Sequence, residues 1–160
     1  MVDLFSPQKR SAIMRAIKSA DTKPEVLVRR LLFASGFRFR LHVKDLPGKP
    51  DIVLPKWKTV IFVNGCFWHA HQDCPYATKP HSNSAYWDAK LIRNKARDQE
   101  VRSILLSSGW RVIVVWECAC KKKLASRLQA LMSDLIRGET GESYFEIGQD
   151  EIAVSIEQKL

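Results

Sequence analysis

The chain has no apolar run approaching the roughly 18 residues that a membrane helix needs. Its longest, such as Val-Ile-Val-Val-Trp at 112–116, suit a buried strand instead. The start, Met-Val-Asp-Leu-Phe-Ser-Pro, lacks the basic residues and long apolar stretch of a secretory signal, so a cytoplasmic protein is expected. Cysteine is scarce, at positions 66, 74, 118 and 120. In a secreted chain four cysteines could form two disulfides; in the cytosol they read as reduced thiols or metal ligands. No C-x-x-C pair is present, which leaves a thiol redox role without support. Internal repeats and low-complexity stretches are missing too, and 160 residues fit one domain with a real core.

Acidic residues are sparse in most of the chain. Residues 1–137 hold 25 Lys and Arg against 11 Asp and Glu, whereas residues 138–160 hold one against six. A body this basic attracts polyanions, nucleic acid first, because each neutralised phosphate releases counterions. The acidic end is expected either to add an edge strand or to remain a mobile extension, and it could cover the basic body and weaken non-specific binding.

Residues 59–74, Thr-Val-Ile-Phe-Val-Asn-Gly-Cys-Phe-Trp-His-Ala-His-Gln-Asp-Cys, organise the rest. A buried strand, 59–63, turns at Asn64-Gly65 into a segment crowded with ligands and large rings. Cys66, His71 and Cys74 offer three metal ligands in nine residues, and Cys118, where another strand ends, supplies a fourth, with Cys120 as competitor. Three thiols and an imidazole make a closed tetrahedral zinc site, structural because no position stays open for water; buried free thiols are the plainer alternative. His69 is then left over as an acid or base near neutral pH.

Around this stretch the chain predicts mixed α and β structure. Ser6-Pro7 starts a helix to about residue 19, in which Met14 reads as core or as a wedge between base steps. Asp21-Thr22 starts a second, ended by Gly36, with Glu25 in its first turn as a helix-dipole partner or a metal-site carboxylate. Residues 37–43 alternate as a half-buried strand. Asp51 opens the next after a Leu-Pro-Gly-Lys-Pro turn, placed either to cap it or to hold a hard cation such as Mg²⁺. Ser84 is expected to cap a long helix to about 107, with Leu91, Ile92, Val101, Ile104 and Leu105 inward and Lys90, Arg93 and Arg97 on a basic face suited to phosphates. Residues 110–116 form an interior strand, parallel to a neighbour through that helical crossover, and residues 121–136 a last helix with Leu124, Leu128, Leu131 and Leu135 inward.

Met-Arg-Ala-Ile at 14–17, Asp21-Thr22, Leu-Pro-Gly-x-Pro-Asp at 46–51, Gly-Cys-Phe-Trp-His at 65–69, Arg-Asn-x-x-Arg-Asp at 93–98, and Gly-Trp-Arg-Val with Val-Trp-Glu-Cys at 109–118 together resemble the very short patch repair (Vsr) mismatch endonucleases. The resemblance covers roughly residues 6–137, the expected endonuclease domain within 1–137, and leaves 138–160 as an acidic extension. It implies a restriction-endonuclease-like three-layer α/β fold, a mixed central sheet flanked by helices, with a structural zinc site. It also implies Mg²⁺ held by Asp51 and the Val63 carbonyl, with Glu25 supporting the metal's waters and His69 as the catalytic imidazole. Cys66, His71, Cys74 and Cys118 match the family's zinc ligands, with the spacing before Cys74 one residue longer than in the best-known form. Phe67, Trp68 and Trp87 match rings that insert beside a mismatch from the major groove, and Met14 a wedge from the minor groove. Activity is then expected as a nick in duplex DNA 5′ of the thymine in a T·G mismatch, by a monomer in the bacterial cytosol or nucleoid, with mismatch-repair proteins as further partners. Asn64 departs from the family, whose best-known form has histidine there; an amide orients groups but exchanges no proton near neutral pH. Two alternatives therefore stand beside this reading: a zinc-stabilised mismatch binder without cleavage, and a nicking enzyme of another target.

Overall fold

The capping residues set the helices as their sequences suggest. The Ser6 and Thr22 hydroxyls accept the N–H groups of Lys9 and Glu25, and a proline follows each in the first helical turn, so helices α1 (Pro7–Ala16) and α2 (Lys23–Ala34) begin there. The computed structural model describes residues 5–138 and 141–152. Strands β1 (Arg40–Leu41), β2 (Ile52–Leu54) and β3 (Thr59–Asn64) follow, then the long helix α3 (Ser84–Ser107), β4 (Arg111–Trp116), α4 (Ala125–Arg137) and β5 (Tyr144–Ile147).

The five strands form one sheet in chain order, with β1, β2 and β3 antiparallel and β3, β4 and β5 parallel. Six register pairs, from Thr59–Arg111 to Asn64–Trp116, join β3 to β4, with α3 as the crossover. Side chains alternate across the sheet. Ile52, Ile61, Ile113 and Val115 pack with Val28 and Leu32 of α2 and with Leu128, Met132 and Ile136 of α4. On the other face Val53, Val60, Val112 and Val114 meet Leu105 of α3. The mixed sheet is thus flanked by helices on both faces, and no helix among the described residues is long and apolar enough to cross a membrane.

Several expected boundaries and faces differ. The first helix stops at Ala16 rather than 19, and none of its residues is buried, so Met14 is not core. Strand β1 keeps two of seven expected residues, and His42, with a left-handed φ of 47°, ends it after Leu41. Asn83, not Ser84, occupies the cap position of α3. The inward stripe of α3 runs Trp87, Leu91, Asn94, Asp98, Val101, Leu105 at alternating steps of four and three, whereas Ile92 and Ile104 are exposed. In α4 Leu128 is buried as expected, but the other buried residues are Met132 and Ile136, each one position after the expected Leu131 and Leu135, which are half-buried. Leu124 lies in a short 3-10 turn before that helix. Residues 144–147 form the edge strand that composition left as one of two readings.

These faces make a direct prediction. Ile113→Ala, at a fully buried site, is expected to cost roughly 3 kcal/mol in denaturant unfolding, while Ile92→Ala on the exposed side of α3 should cost less than about 0.5 kcal/mol. Equal costs would put Ile92 back in the core.

Candidate active site and metal centre

Because β3 and β4 are parallel, both chain exits lie at one sheet edge, and β2, running the other way, starts there just after Asp51. A cleft of about 1060 Å³ opens at that edge, lined by Glu25, Asp51, Val63, Asn64, Trp68 and His69. Lys49, Lys95 and Arg97 add positive charge to its walls.

Asp51 Oδ2 accepts the Val63 N–H at 2.7 Å, which locks the carboxylate to β3. Burial pushes its ionisation up to about 6, Glu25's negative charge adds to this, and the Val63 N–H opposes it. A cation beside Asp51 would offset that burial cost, and one or two carboxylates are what Mg²⁺ ordinarily takes from protein, so the residues fit such an ion.

Glu25 is 4% exposed and its oxygens are engaged. Oε2 accepts from the Asp21 N–H and from Arg29, at 3.0 and 3.1 Å, and Oε1 accepts the Thr22 hydroxyl at 3.1 Å. The carboxylate therefore serves as a helix cap, which is its plainer reading from sequence. Asp21, Glu25 and His42 cluster closely, with the Arg29 guanidinium bonded to Asp21 and Glu25 and 3.0 Å from His42 Nε2. The His42 amide donates to the Asp51 carbonyl. Nothing in the spacing of the sequence pointed to Arg29 or His42.

His69 Nδ1 lies 2.6 Å from Asp98 Oδ2. A carboxylate can only accept, so Nδ1 carries a hydrogen and Nε2 is the ring nitrogen that Asp98 does not engage. One turn earlier on α3, Asn94 Nδ2 donates to the Trp68 carbonyl at 2.9 Å. Asn94 and Asp98 are polar, so an apolar pattern passes over them, yet both fall on the inward stripe of that helix. That position was the available signal.

Phe67, Trp68 and Trp87 form one edge-to-face cluster, with centroids 5.0, 5.2 and 5.9 Å apart. Trp87 is the buried member, 8% exposed, under the half-buried Phe67 and Trp68. Tyr86, exposed and 5.3 Å from Trp87, extends the cluster, and the Lys90 ammonium lies 5.3 to 5.8 Å from three of the rings. Arg93 and Arg97 are exposed on α3, Arg97 at the cleft. Asn64, the last residue of β3, is half-buried there.

Cys66, His71, Cys74 and Cys118 bring one ligand atom each within 4.8 Å of the others. Burial pushes the Cys66 and Cys118 thiols up and holds the His71 imidazole below its usual range. Three thiols and a neutral imidazole in a small, mostly buried volume suit a tetrahedral soft-ligand ion, and zinc fits best. Cys120 lies outside this group: its Sγ donates to the Trp116 carbonyl and burial pushes its thiol up to about 12.

With this geometry in place, comparison with known proteins is informative. The model of the family described as DNA mismatch endonuclease Vsr matches residues 2–75. The type II nicking enzyme V.XorIIP of Xanthomonas oryzae pv. oryzae is 50% identical over 118 residues, covering 74% of this chain and 86% of that protein. V.NmeAIP of Neisseria meningitidis, also a type II nicking enzyme, is 49% identical over 127 residues, 79% of this chain and 90% of its own. DNA mismatch endonuclease Vsr of Escherichia coli is 38% identical over 142 residues, 89% of this chain and 90% of its own.

The raised Asp51 ionisation gives a test of the site without activity. The unfolded chain loses this proton near 3.8 and the folded chain near 6, so the folded state holds the extra proton between those values and loses stability as pH rises through them. In cation-free protein, Asp51→Asn should raise Tm by a few degrees at pH 8 and change it little at pH 4. A Tm equal to wild type at pH 8 would mean that Asp51 is solvated.

Proposed function

The chain belongs to the Vsr family of DNA mismatch endonucleases, and from that premise we propose that it is a Mg²⁺-dependent, strand-specific endonuclease nicking duplex DNA 5′ of the thymine in a T·G mismatch. The observation that carries this reading is the meeting of Asp51, Val63 and His69 in one cleft, beside a preformed aromatic cluster. The sheet and its flanking helices agree with a restriction-endonuclease-like fold, which we assign to it.

Asp51 and the Val63 carbonyl would hold the Mg²⁺, with Glu25, tied to the start of α2, supporting its waters. When bound, the ion supplies polarisation of the scissile phosphate and a more acidic water. His69 moves the proton at Nε2, while Asp98 fixes the ring through Nδ1–H and stabilises its charged form. Asn64 orients a water or a phosphate oxygen by hydrogen bonding.

Phe67 and Trp68 would enter beside the mismatched pair, supported from beneath by Trp87. A mismatched step costs less to unstack than a paired one, and rings already packed together have little freedom to lose. Met14, on a helix with no buried residue, is free to wedge from the opposite groove. Arg93 and Arg97 would contact phosphates. The zinc held by Cys66, His71, Cys74 and Cys118 is structural, fixing the loop that carries Phe67, Trp68 and His69.

Residues 1–137 would carry the endonuclease domain, acting as a monomer in the bacterial cytosol or nucleoid, with mismatch-repair proteins as further partners. Asn64 favours one second reading, a mismatch binder without cleavage, because an amide takes up no proton.

Nicking of end-labelled T·G and T·A duplexes, with Mg²⁺ or EDTA, separates the two. The T·G duplex alone should be cut, only with Mg²⁺. Asp51→Ala should lower the rate by more than about 10³-fold and Asp98→Asn by about 10²-fold, with duplex affinity within about tenfold of wild type. Binding without cleavage by the zinc-loaded wild type, restored to cleavage by Asn64→His, would establish the second reading instead.

A further inference from the structure

The proposed chemistry leaves the carboxy-terminal segment without a role, yet its contacts converge on the metal centre. Strand β5 runs parallel to β4 with Ile147 opposite Val115, so the residues after it reach the same sheet edge as Cys118. There the Gln149 N–H points at Cys118 Sγ, 3.4 Å away. Gly148 lies against His71: a Cβ on it would sit 3.0 Å from His71 Cε1 and 2.8 Å from Glu151 Oε2. Glu151 Oε2 in turn accepts the Gly148 N–H at 2.7 Å, closing the turn. Ile147 and Ile152, on either side, are 0% and 1% exposed in the core, which anchors both ends.

The two nitrogens of His71 face different ways. Nδ1 is 3.6 Å from Cys118 Sγ and so belongs to the ligand cluster. Nε2 would lie 3.4 Å from a Cβ on Gly148 and therefore faces the 148–151 turn. An imidazole that gives one nitrogen to a metal keeps its hydrogen on the other, and a carboxylate on that side fixes the ring and raises its basicity. Glu151 Oε2 and the His71 ring both come within 3.0 Å of the place a Gly148 Cβ would occupy, so the carboxylate stands on that side of the ring. An N–H directed at a thiolate sulfur likewise stabilises its negative charge.

We propose that the 148–151 turn is the outer support of the metal centre, with the Gln149 N–H holding the Cys118 thiolate and Glu151 positioning His71 from its far side, so that the carboxy-terminal segment sets how firmly zinc is retained. This rests on the reading of the Cys/His cluster as a zinc site. The expectation that the acidic segment covers the basic body is a separate matter, since residues 153–160 lie outside the described residues.

The test is zinc content of the full-length protein, then the rate of zinc transfer to a chromogenic chelator, with circular dichroism as the check on folding. Gln149→Pro removes one N–H at the start of a helical turn, where proline is tolerated, and Gln149→Ala keeps it. Glu151→Gln keeps an acceptor for Gly148 and removes the charge. Gln149→Pro and Glu151→Gln are expected to release zinc about 10- to 100-fold faster than wild type, and Gln149→Ala at the wild-type rate. If Gln149→Pro does not fold, Glu151→Gln decides. Zinc-loaded wild type and folded variants all releasing at one rate would overturn this proposal and leave the zinc reading intact. A wild type that neither carries nor takes up zinc would overturn both.

Discussion

The parallel pairing of β3 with β4 is the constraint on which the site depends. It sets Asn64 opposite Trp116, so two segments far apart in sequence leave the sheet side by side. Cys66 then comes two residues after one exit and Cys118 two after the other, which is how ligands separated by about a third of the chain fall within 4.8 Å. His71 stacks on Trp116 at 4.1 Å and 2°, so the strand end also supplies the surface on which the cluster rests. A slip of one residue would turn every β4 side chain to the opposite face and separate the ligands.

The same edge concentrates polar groups that are costly to bury. Asp51, Glu25 and His69 are each met by a specific partner: a strand amide, a helix start with its arginine, and the Asp98 carboxylate. Burial nevertheless raises the cost of ionising Asp51, and Glu25's negative charge adds to it, since two carboxylates face the same region. That uncompensated negative charge is what a divalent cation would relieve. The helix start, the strand start and the proposed cation site would thus form one electrostatic unit.

How legible this was depended on whether a residue's role was local. The caps at Ser6 and Thr22, the β3 strand, the all-apolar β4 and the Cys/His spacing follow from short-range patterns, and the structure brings those elements where they were expected. Asp98 and Asn94 fell within a family-like motif but had no assigned role for a different reason: a polar residue on an inward helical stripe is informative only once something polar is known to face it. His42 ended its strand early through a left-handed φ that no turn residue announced. The segment after Gly138 was hardest, because its acidic composition suggested solvent while Ile147 and Ile152 take it into the core.

Between β3 and α3 the chain runs through residues 65–83 without a strand or helix of its own. A connection this long keeps one shape only if side chains fix it. Ala70 and Asp73 take left-handed φ values of 49° and 55°, conformations that cost such residues free energy unless their surroundings impose them. Two sets of contacts do so. The ligand cluster binds the loop to the exit of β4, and α3 binds it at Asn94 and Asp98, one helical turn apart. Those two α3 residues grip neighbours in sequence, the Trp68 carbonyl and the His69 ring. A displacement of Trp68 by anything stacked against it is therefore shared by His69, since both hang from one rigid helix and one strand exit. In the proposed mechanism, recognition by the rings and proton transfer by the imidazole would be coupled by covalent adjacency, with the Cys/His cluster and α3 keeping that short link in register with Asp51.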